Sequence, residues 1–252
     1  MISSCPDAIF RAAALSFRQI YSQLSRQPPS FLKPRFAADD VRYKVWSRRD
    51  RFFDAFDFNN HADDFNHAFF LKNLFKGLLA ISVFRSTGCL DDRKVVDVGS
   101  GAGSLAVAWN ELFRLRGSTL QLVDTSETQL RSARTVLELL RVSKYELRCE
   151  DFLTVGPTVS GTRLAGYWAC SQQDRDAGAI RSCLAAEVSL VIDYRHVLDF
   201  VGELLKPSCD RIDLRLRRIP LPVRNPQLFS DHEINLSASL FLPKDRNQRR
   251  RS

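Results

Sequence analysis

The stretch that most constrains the fold is Lys94 to Asn110, which reads K-V-V-D-V-G-S-G-A-G-S-L-A-V-A-W-N. Val95, Val96 and Val98 form a short β-branched run. Gly99, Gly101 and Gly103 alternate with Ser100 and Ala102, and apolar residues return at helical spacing at Leu105, Ala108, Trp109 and Leu112. The pattern predicts a strand, a tight turn and a helix. Glycine suits such a turn because it accepts positive φ and has no Cβ to hold a ligand away from the backbone. The helix that follows offers free N–H groups at its positive end. A turn of this kind is built for a polar, partly anionic small molecule; the plainer alternative is a tight turn with no ligand.

The glycine spacing narrows the ligand. The dinucleotide fingerprint G-x-G-x-x-G counted from Gly99 needs glycine at position 104, where the chain has Ser104. The run is instead Asp97-x-Gly99-x-Gly101-x-Gly103. It resembles the first motif of the class I S-adenosylmethionine-dependent methyltransferases, an acid followed by glycines at every second position. A carboxylate at the strand end suits the ammonium and sulfonium of that cofactor, directly or through water, better than it suits a pyrophosphate. A nicotinamide or flavin nucleotide is the competing ligand.

The resemblance implies an α/β fold, a doubly wound, mostly parallel seven-stranded sheet, and the chain downstream alternates as such a sheet requires. Thr119 to Asp124 is the second predicted strand and ends in a carboxylate; Ser126 with Gln129 supplies a capping box for a helix over Glu127 to Val142. In the resembled family an acid at the Asp124 position accepts hydrogen bonds from the two ribose hydroxyls, which matches two donors with two acceptors. Tyr145 to Cys149 is the third strand, followed by Asp151 and Phe152, where the family places an acid facing the adenine amine and an apolar neighbour on the ring; a plain strand exit is the alternative. The resemblance thus assigns the cofactor to Asp97, Gly99, Ser100, Gly101, Gly103, Asp124, Thr125, Asp151 and Phe152.

Thr154 to Thr162 reads as loop, Arg163 to about Ala169 as the fourth strand, Asp174 to Ala186 as helix, Glu187 to Asp193 as the fifth strand and His196 to Leu205 as helix. Asp210 to Arg218 and Glu233 to Leu242 alternate strictly and predict an antiparallel edge pair, with a proline-bearing loop over Ile219 to Gln227 between them. The family keeps its chemistry after the fourth strand, where this chain has Tyr167-Trp168-Ala169-Cys170-Ser171-Gln172-Gln173-Asp174. Neither the Asn/Asp-Pro-Pro-aromatic run of amine-methylating adenine enzymes nor a Pro-Cys nucleophile is present. Cys170 reads as a structural thiol, and Trp168 either stacks on a ligand or belongs to the core. His196, Asp193 and Asp174 are the candidate general bases, by position at strand ends.

Residues 1–85 are predicted to form a helical N-terminal cap, 86–243 the methyltransferase-like domain and 244–252 a basic, disordered tail. In the cap, Ala8 to Leu24 is amphipathic, with Ile9, Ala12, Ala13, Phe17, Ile20, Tyr21 and Leu24 on its apolar side. An aromatic-rich run from Trp46 to Phe75 leads through Leu71, Leu74, Leu78 and Leu79 into the domain. The family often lays such a segment across the cofactor pocket. His61, Asp63, Asp64 and His67 are too weakly patterned to predict a metal site; a solvated helix start, with Asn66 and His67 near the cofactor, fits better.

The chain has 252 residues, 44% of them apolar, enough for a sizeable core. Met1 to Pro6 does not read as a secretory signal, and the longest apolar runs fall short of a membrane span. The six cysteines, at positions 5, 89, 149, 170, 183 and 209, are scattered as reduced thiols would be. A cytoplasmic setting is expected, with no membrane attachment. Net charge is +8 and the pI is near 9.4. Arg42, Arg48 and Arg49 form one basic cluster, and Arg217, Arg218, Arg224 and Arg249, Arg250 and Arg251 load the C-terminal part. These clusters suit RNA or a ribonucleoprotein if the fold joins them, and are otherwise two solvated segments. The expected function is methyl transfer to such an acceptor. The alternatives are a small-molecule or protein methyltransferase, or a non-catalytic module of that fold bound to a protein partner.

Overall fold

The computed structural model describes residues 2, 5–33, 60–90, 94–113, 119–158, 160–172, 176–225 and 233–244. Its centre is a seven-stranded sheet of β1 (Lys94–Val98), β2 (Thr119–Asp124), β3 (Tyr145–Cys149), β4 (Thr162–Gly166), β5 (Ser189–Ile192), β6 (Cys209–Pro220) and β7 (Glu233–Pro243), in the order β3-β2-β1-β4-β5-β7-β6. The first five run parallel. β7 lies antiparallel between β5 and β6. This is the doubly wound sheet with an antiparallel edge pair that the sequence predicts. Covered on both faces, β1, β4 and β5 are buried along most of their length, whereas the sequences of β6 and β7 alternate.

Alternation sorts the side chains between two layers. Val95, Leu120, Leu122, Leu164, Leu190 and Leu214 pack towards α1 (Asp7–Arg26), α2 (Ala62–Ser86), α3 (Ser104–Phe113) and α4 (Glu127–Leu139). Val96, Val98, Ala165, Val191 and Phe241 pack towards the short α5 (Phe152–Val155), α6 (Ala177–Ala185) and α7 (Arg195–Leu205). The N-terminal helices therefore share one core with the sheet. Phe17 of α1 meets Phe75 of α2 edge to face at 5.3 Å, and Gly77 lets α2 approach α3 so closely that a Cβ there would lie 2.7 Å from Leu105 Cδ2. On length and apolar content α2 is within reach of a bilayer span, contrary to the sequence expectation. Its apolar residues from Phe70 to Phe84 are nevertheless almost all buried in this core.

Local signals misplace several boundaries. Ala12 is exposed while Ala14 is buried, because the helix packs one residue further round. The helix after β2 stops at Leu139, where Arg141 turns the chain with φ 56°. The predicted loop at 154–162 contains the end of α5 and a 3-10 turn (Gly156–Thr158). β4 ends at Gly166, since Tyr167 adopts φ 56° and a 3-10 turn (Ala169–Gln172) follows. Strand pairing of Ile219 and Pro220 with Ile234 and Glu233 carries β6 into the expected loop. The aromatics from Trp46 to Phe58 and the tail at 245–252 lie outside the described residues.

Candidate functional site

The strand carrying Val95 to Val98 delivers the chain to a turn in which Gly99, Gly101 and Gly103 all have positive φ, at 59°, 52° and 79°. Only two of these positions are crowded. A Cβ on Gly99 would lie 2.6 Å from Trp168 Cδ1, and one on Gly103 3.1 Å from Leu122 Cδ2; at Gly101 the nearest atom is Gln129 Oε1 at 3.8 Å. Gly101 therefore presents bare backbone to open space, which is what close approach of a ligand needs.

That space is a cleft of about 190 Å³, room for several waters or part of a small organic molecule rather than a single ion. Gly99 to Ala102 and Ser104 form one wall; Asp124, Thr125 and Gln129 another; Glu150, Asp151 and Phe152 a third. Gly166 at the end of β4 and Tyr167, Trp168, Ser171 and Gln172 after it also line the cleft, as do Phe65, Asn66, Phe69, Phe70 and Asn73 of α2. The cleft sits at the C-terminal ends of the parallel strands, where the order reverses between β1 and β4 and ligands of open α/β sheets bind.

Asp124 holds the two nearest turns together. Its Oδ2 accepts from Gly101 N at 2.8 Å and its Oδ1 from Ser126 N at 2.8 Å. Burial pushes its carboxyl up, against these backbone donors. Because Ser126 N is taken by Asp124, only half of the expected capping box forms: Ser126 Oγ accepts from Gln129 N at 3.3 Å. The Gln129 amide is left buried, without a partner, in the cleft wall. Ser100 Oγ, Asn66 Nδ2 and Gln172 Oε1 are likewise buried and unpartnered, and their residues line the same cleft. A cluster of unpaired polar atoms around one cavity is costly unless a polar ligand completes it.

The other sequence-assigned residues separate. Gly99, Ser100, Gly101, Asp124, Thr125, Asp151 and Phe152 line the cleft, whereas Asp97 and Gly103 do not. Asp97 shares the strand face of Val95, so its carboxylate meets α3 and accepts from Ala106 N at 3.0 Å. Burial raises its pKa well above the carboxylate range. Asp151 caps α5 through Leu153 N at 3.0 Å, and Phe152 meets Trp168 edge to face at 5.9 Å, so Trp168 is both core and cleft wall. Asn66 reaches the cleft; His67 instead contacts Phe31 O through Nδ1 at 2.8 Å.

The candidate bases fare differently. Asp174 lies outside the described residues. His196 is exposed, ring to ring with Tyr194 at 5.9 Å, and is not in the cleft wall. Asp193 is buried behind the cleft, accepting from Tyr194 N and Cys170 N, and burial raises its pKa from 3.8 to about 7. Since the fold prefers the protonated form, the stability this group contributes is full below about 3.8 and lost as the pH rises through about 7. A total change of up to about 4 kcal/mol over that window follows. Asp193→Asn is expected to remove this part of the urea-unfolding pH profile. Cys170 has its Sγ 2.9 Å from Tyr167 O and a pKa raised by burial, as an unreactive thiol would.

Sequence reasoning does not place Asn73, Gln129, Ser171 or Lys76 at the site; it reads Gln129 only as a capping residue. Lys76 donates to Tyr167 Oη at 2.5 Å from the next turn of α2 beyond Asn73. A lysine at an otherwise apolar helical position, L-K-N-L-F-K-G-L-L, is the signal that marks it.

No protein-family model matches the chain, and no curated protein sequence matches it. Among solved structures it is similar to magnesium protoporphyrin IX methyltransferase from Synechocystis PCC 6803 with bound S-adenosylmethionine, at 14% identity and TM-score 0.47, over 82% of this chain and 99% of that one. It is similar to an rRNA methylase from Streptococcus thermophilus at 16% identity and TM-score 0.42, over 66% and 97%. It is also similar to EvdMO1 at 14% identity and TM-score 0.48, over 70% of this chain but 42% of that one, so it spans less than half of EvdMO1. These scores lie below 0.5, and the fold is defined by the sheet itself. The strand order β3-β2-β1-β4-β5-β7-β6, with only β7 reversed, defines a class I methyltransferase-like α/β fold.

Proposed function

We propose that the cleft binds S-adenosylmethionine and that the protein transfers its methyl group to RNA or a ribonucleoprotein. The observation that carries the cofactor reading is the convergence on one cleft of bare Gly101 backbone, the Asp124 carboxylate and the unpartnered polar atoms of Ser100 and Gln129. Asp124 keeps lone pairs for the ribose diol beyond its two backbone donors. Phe152 and Asp151 stand where the adenine would pack, and the glycine turn with Ser100 and Gln129 would hold the amino-acid end. When bound, the cofactor supplies an activated methyl on a sulfonium. The chain's part is to orient an acceptor and exclude water beneath α2, a contribution made largely by proximity.

The RNA reading draws on charge placed outside the cleft. β6 runs parallel to β5, so exposed Arg217 and Arg218 stand towards the same sheet edge as the cleft, beyond β7. Arg224 follows on a segment tied to α1 by Arg18 Nε to Pro222 O at 3.1 Å and by Asn225 Nδ2 to Tyr21 Oη at 2.9 Å. Arg42, Arg48, Arg49 and Arg249 to Arg251 lie outside the described residues. Among the described residues no lysine or arginine lines the cleft, while Asp124, Glu150 and Asp151 do. That favours phosphate contacts at the rim only, and it equally suits the second reading, a small neutral or cationic acceptor.

The test is calorimetric titration of S-adenosylmethionine and S-adenosylhomocysteine into wild type and Gly101→Arg. Binding abolished in a variant that still folds supports the cofactor site; no binding by folded wild type overturns it. Retention of RNA that falls steeply with salt, and weakens in Arg217→Glu/Arg218→Glu, supports the RNA reading. Salt-independent behaviour leaves the small acceptor.

A further inference from the structure

Behind the acceptor side of the cleft lies a polar cluster that cofactor binding alone does not use. Lys76 of α2 donates to Tyr167 Oη at 2.5 Å and lies over the Tyr167 ring at 4.7 Å. Tyr167 lines the cleft just after β4, in a left-handed backbone conformation that a bulky residue adopts only at a cost. The backbone is strained at the residue that meets the lysine, and an ammonium on an inward helical position is itself costly. We infer that Lys76, coupled to the cleft through Tyr167, is the proton reservoir of the site: neutral while a cationic cofactor is bound and charged once that charge has left. This rests on the cofactor reading above.

The physical basis is like-charge exclusion. A sulfonium and an ammonium in one partly desolvated site repel each other, so binding of the cation favours loss of the Lys76 proton. Burial first, and Lys72 one turn away second, lower the Lys76 pKa from 10.5 to about 8 against the opposing pull of Asp193. A modest added charge is therefore enough to discharge it near neutral pH. The neutral amine can then take back a proton. The acceptor X–H bond breaks as Tyr167 Oη gains that proton, and the original Tyr167 hydroxyl proton passes to Lys76 Nζ, leaving the phenol neutral and the lysine charged. The positive charge that methyl transfer removes from sulfur is replaced by one on Nζ, so the site never holds two cations. The acceptor class that needs such a group is one whose nucleophile carries a proton to be lost, a hydroxyl or an N–H.

The ionisable surroundings are limited. Besides Lys72 on α2 itself, Asp193 at the end of β5 favours the charged lysine. Tyr167, Tyr194 and Cys170 share the same electrostatic neighbourhood. Of the other elements packed on α2, α1 carries Asp7, Arg11, Arg18 and Arg26, all exposed; α3 carries Glu111, which accepts from Ser16; and β7 carries only exposed Glu233.

The test is the ratio of S-adenosylmethionine to S-adenosylhomocysteine dissociation constants by calorimetry from pH 7 to pH 9, in wild type, Lys76→Met and Lys76→Arg. The ligands' own amino groups and Asp193 titrate in all three proteins, so either variant supplies the baseline. Relative to that baseline, the wild-type ratio is expected to fall by about tenfold across this range as Lys76 gives up its proton. Lys76→Met should show the low ratio throughout and Lys76→Arg the high one. A wild-type profile superimposable on those of the variants, with both ligands bound, overturns the inference and leaves the cofactor site standing. Failure of folded wild type to bind either ligand overturns the cofactor site, and the inference with it.

Discussion

Asp124→Ala is expected to weaken S-adenosylmethionine binding by at least about 100-fold, because two charge-assisted hydrogen bonds from the ribose are worth about 1.5–3 kcal/mol each. The same substitution releases Gly101 N and Ser126 N, both at 2.8 Å from the carboxylate, so the glycine turn loses its anchor to the β2–α4 turn. Stability should fall by about 1–2 kcal/mol, a small effect beside the binding loss. Asp124→Asn separates the two contributions, since an amide offers one acceptor oxygen where the carboxylate offers two. Because Gly101 N and Ser126 N bond different oxygens, it should recover about half of the stability lost in Asp124→Ala and still lose much of the affinity. Because burial raises the Asp124 pKa, binding should begin to fade on acidification above the ordinary carboxylate range. Calorimetry across pH 4–8 reads all of this, and an Asp124→Ala protein that binds within a few-fold of wild type would remove the ribose contact from the site.

Arg163→Ala should be the most destabilising single change away from the cleft, at about 3–5 kcal/mol. Arg163 is fully buried on β4, on the sheet face of Ala165. Its guanidinium donates to the carbonyls of Cys183 and Gly156, the latter at 2.8 Å, and lies 5.5 Å from the Phe152 ring centre. It thereby ties α6 and the 3-10 turn beneath the wall that carries Phe152. Truncation leaves two buried carbonyls without donors and a cavity under that ring. Arg163→Met fills the space without restoring the donors and should recover about half of the loss. Urea unfolding measures both; a loss below about 1 kcal/mol for Arg163→Ala would mean that water replaces the guanidinium at no cost.

Arg163 also shows where sequence reading stops. An arginine within the predicted strand Arg163 to Ala169 has no local signature of burial, because its partners, Cys183 and Gly156, belong to other elements. Asp97 illustrates the same limit in reverse. Its spacing to the glycines marks it as part of the turn, yet the strand's period of two aims it at Ala106 of α3 rather than into the cleft. The cap helix was legible as a helix, but that Asn66, Phe69 and Asn73 line the cleft while Lys76 meets Tyr167 depends on how α2 docks.

What the amino-acid sequence determined by itself was everything written at short range. The valine run, the glycines at every second position and the alternation of the last strands each satisfy a local backbone demand, and with Asp124 they are enough for the sheet and the edge that carries the cleft. The tertiary structure alone decided which polar groups share one cavity. Ser100, Gln129, Asn66 and Gln172 come from four separate segments. Their burial, and hence their unmet hydrogen bonds, exists only once helix packing has excluded water from between those segments.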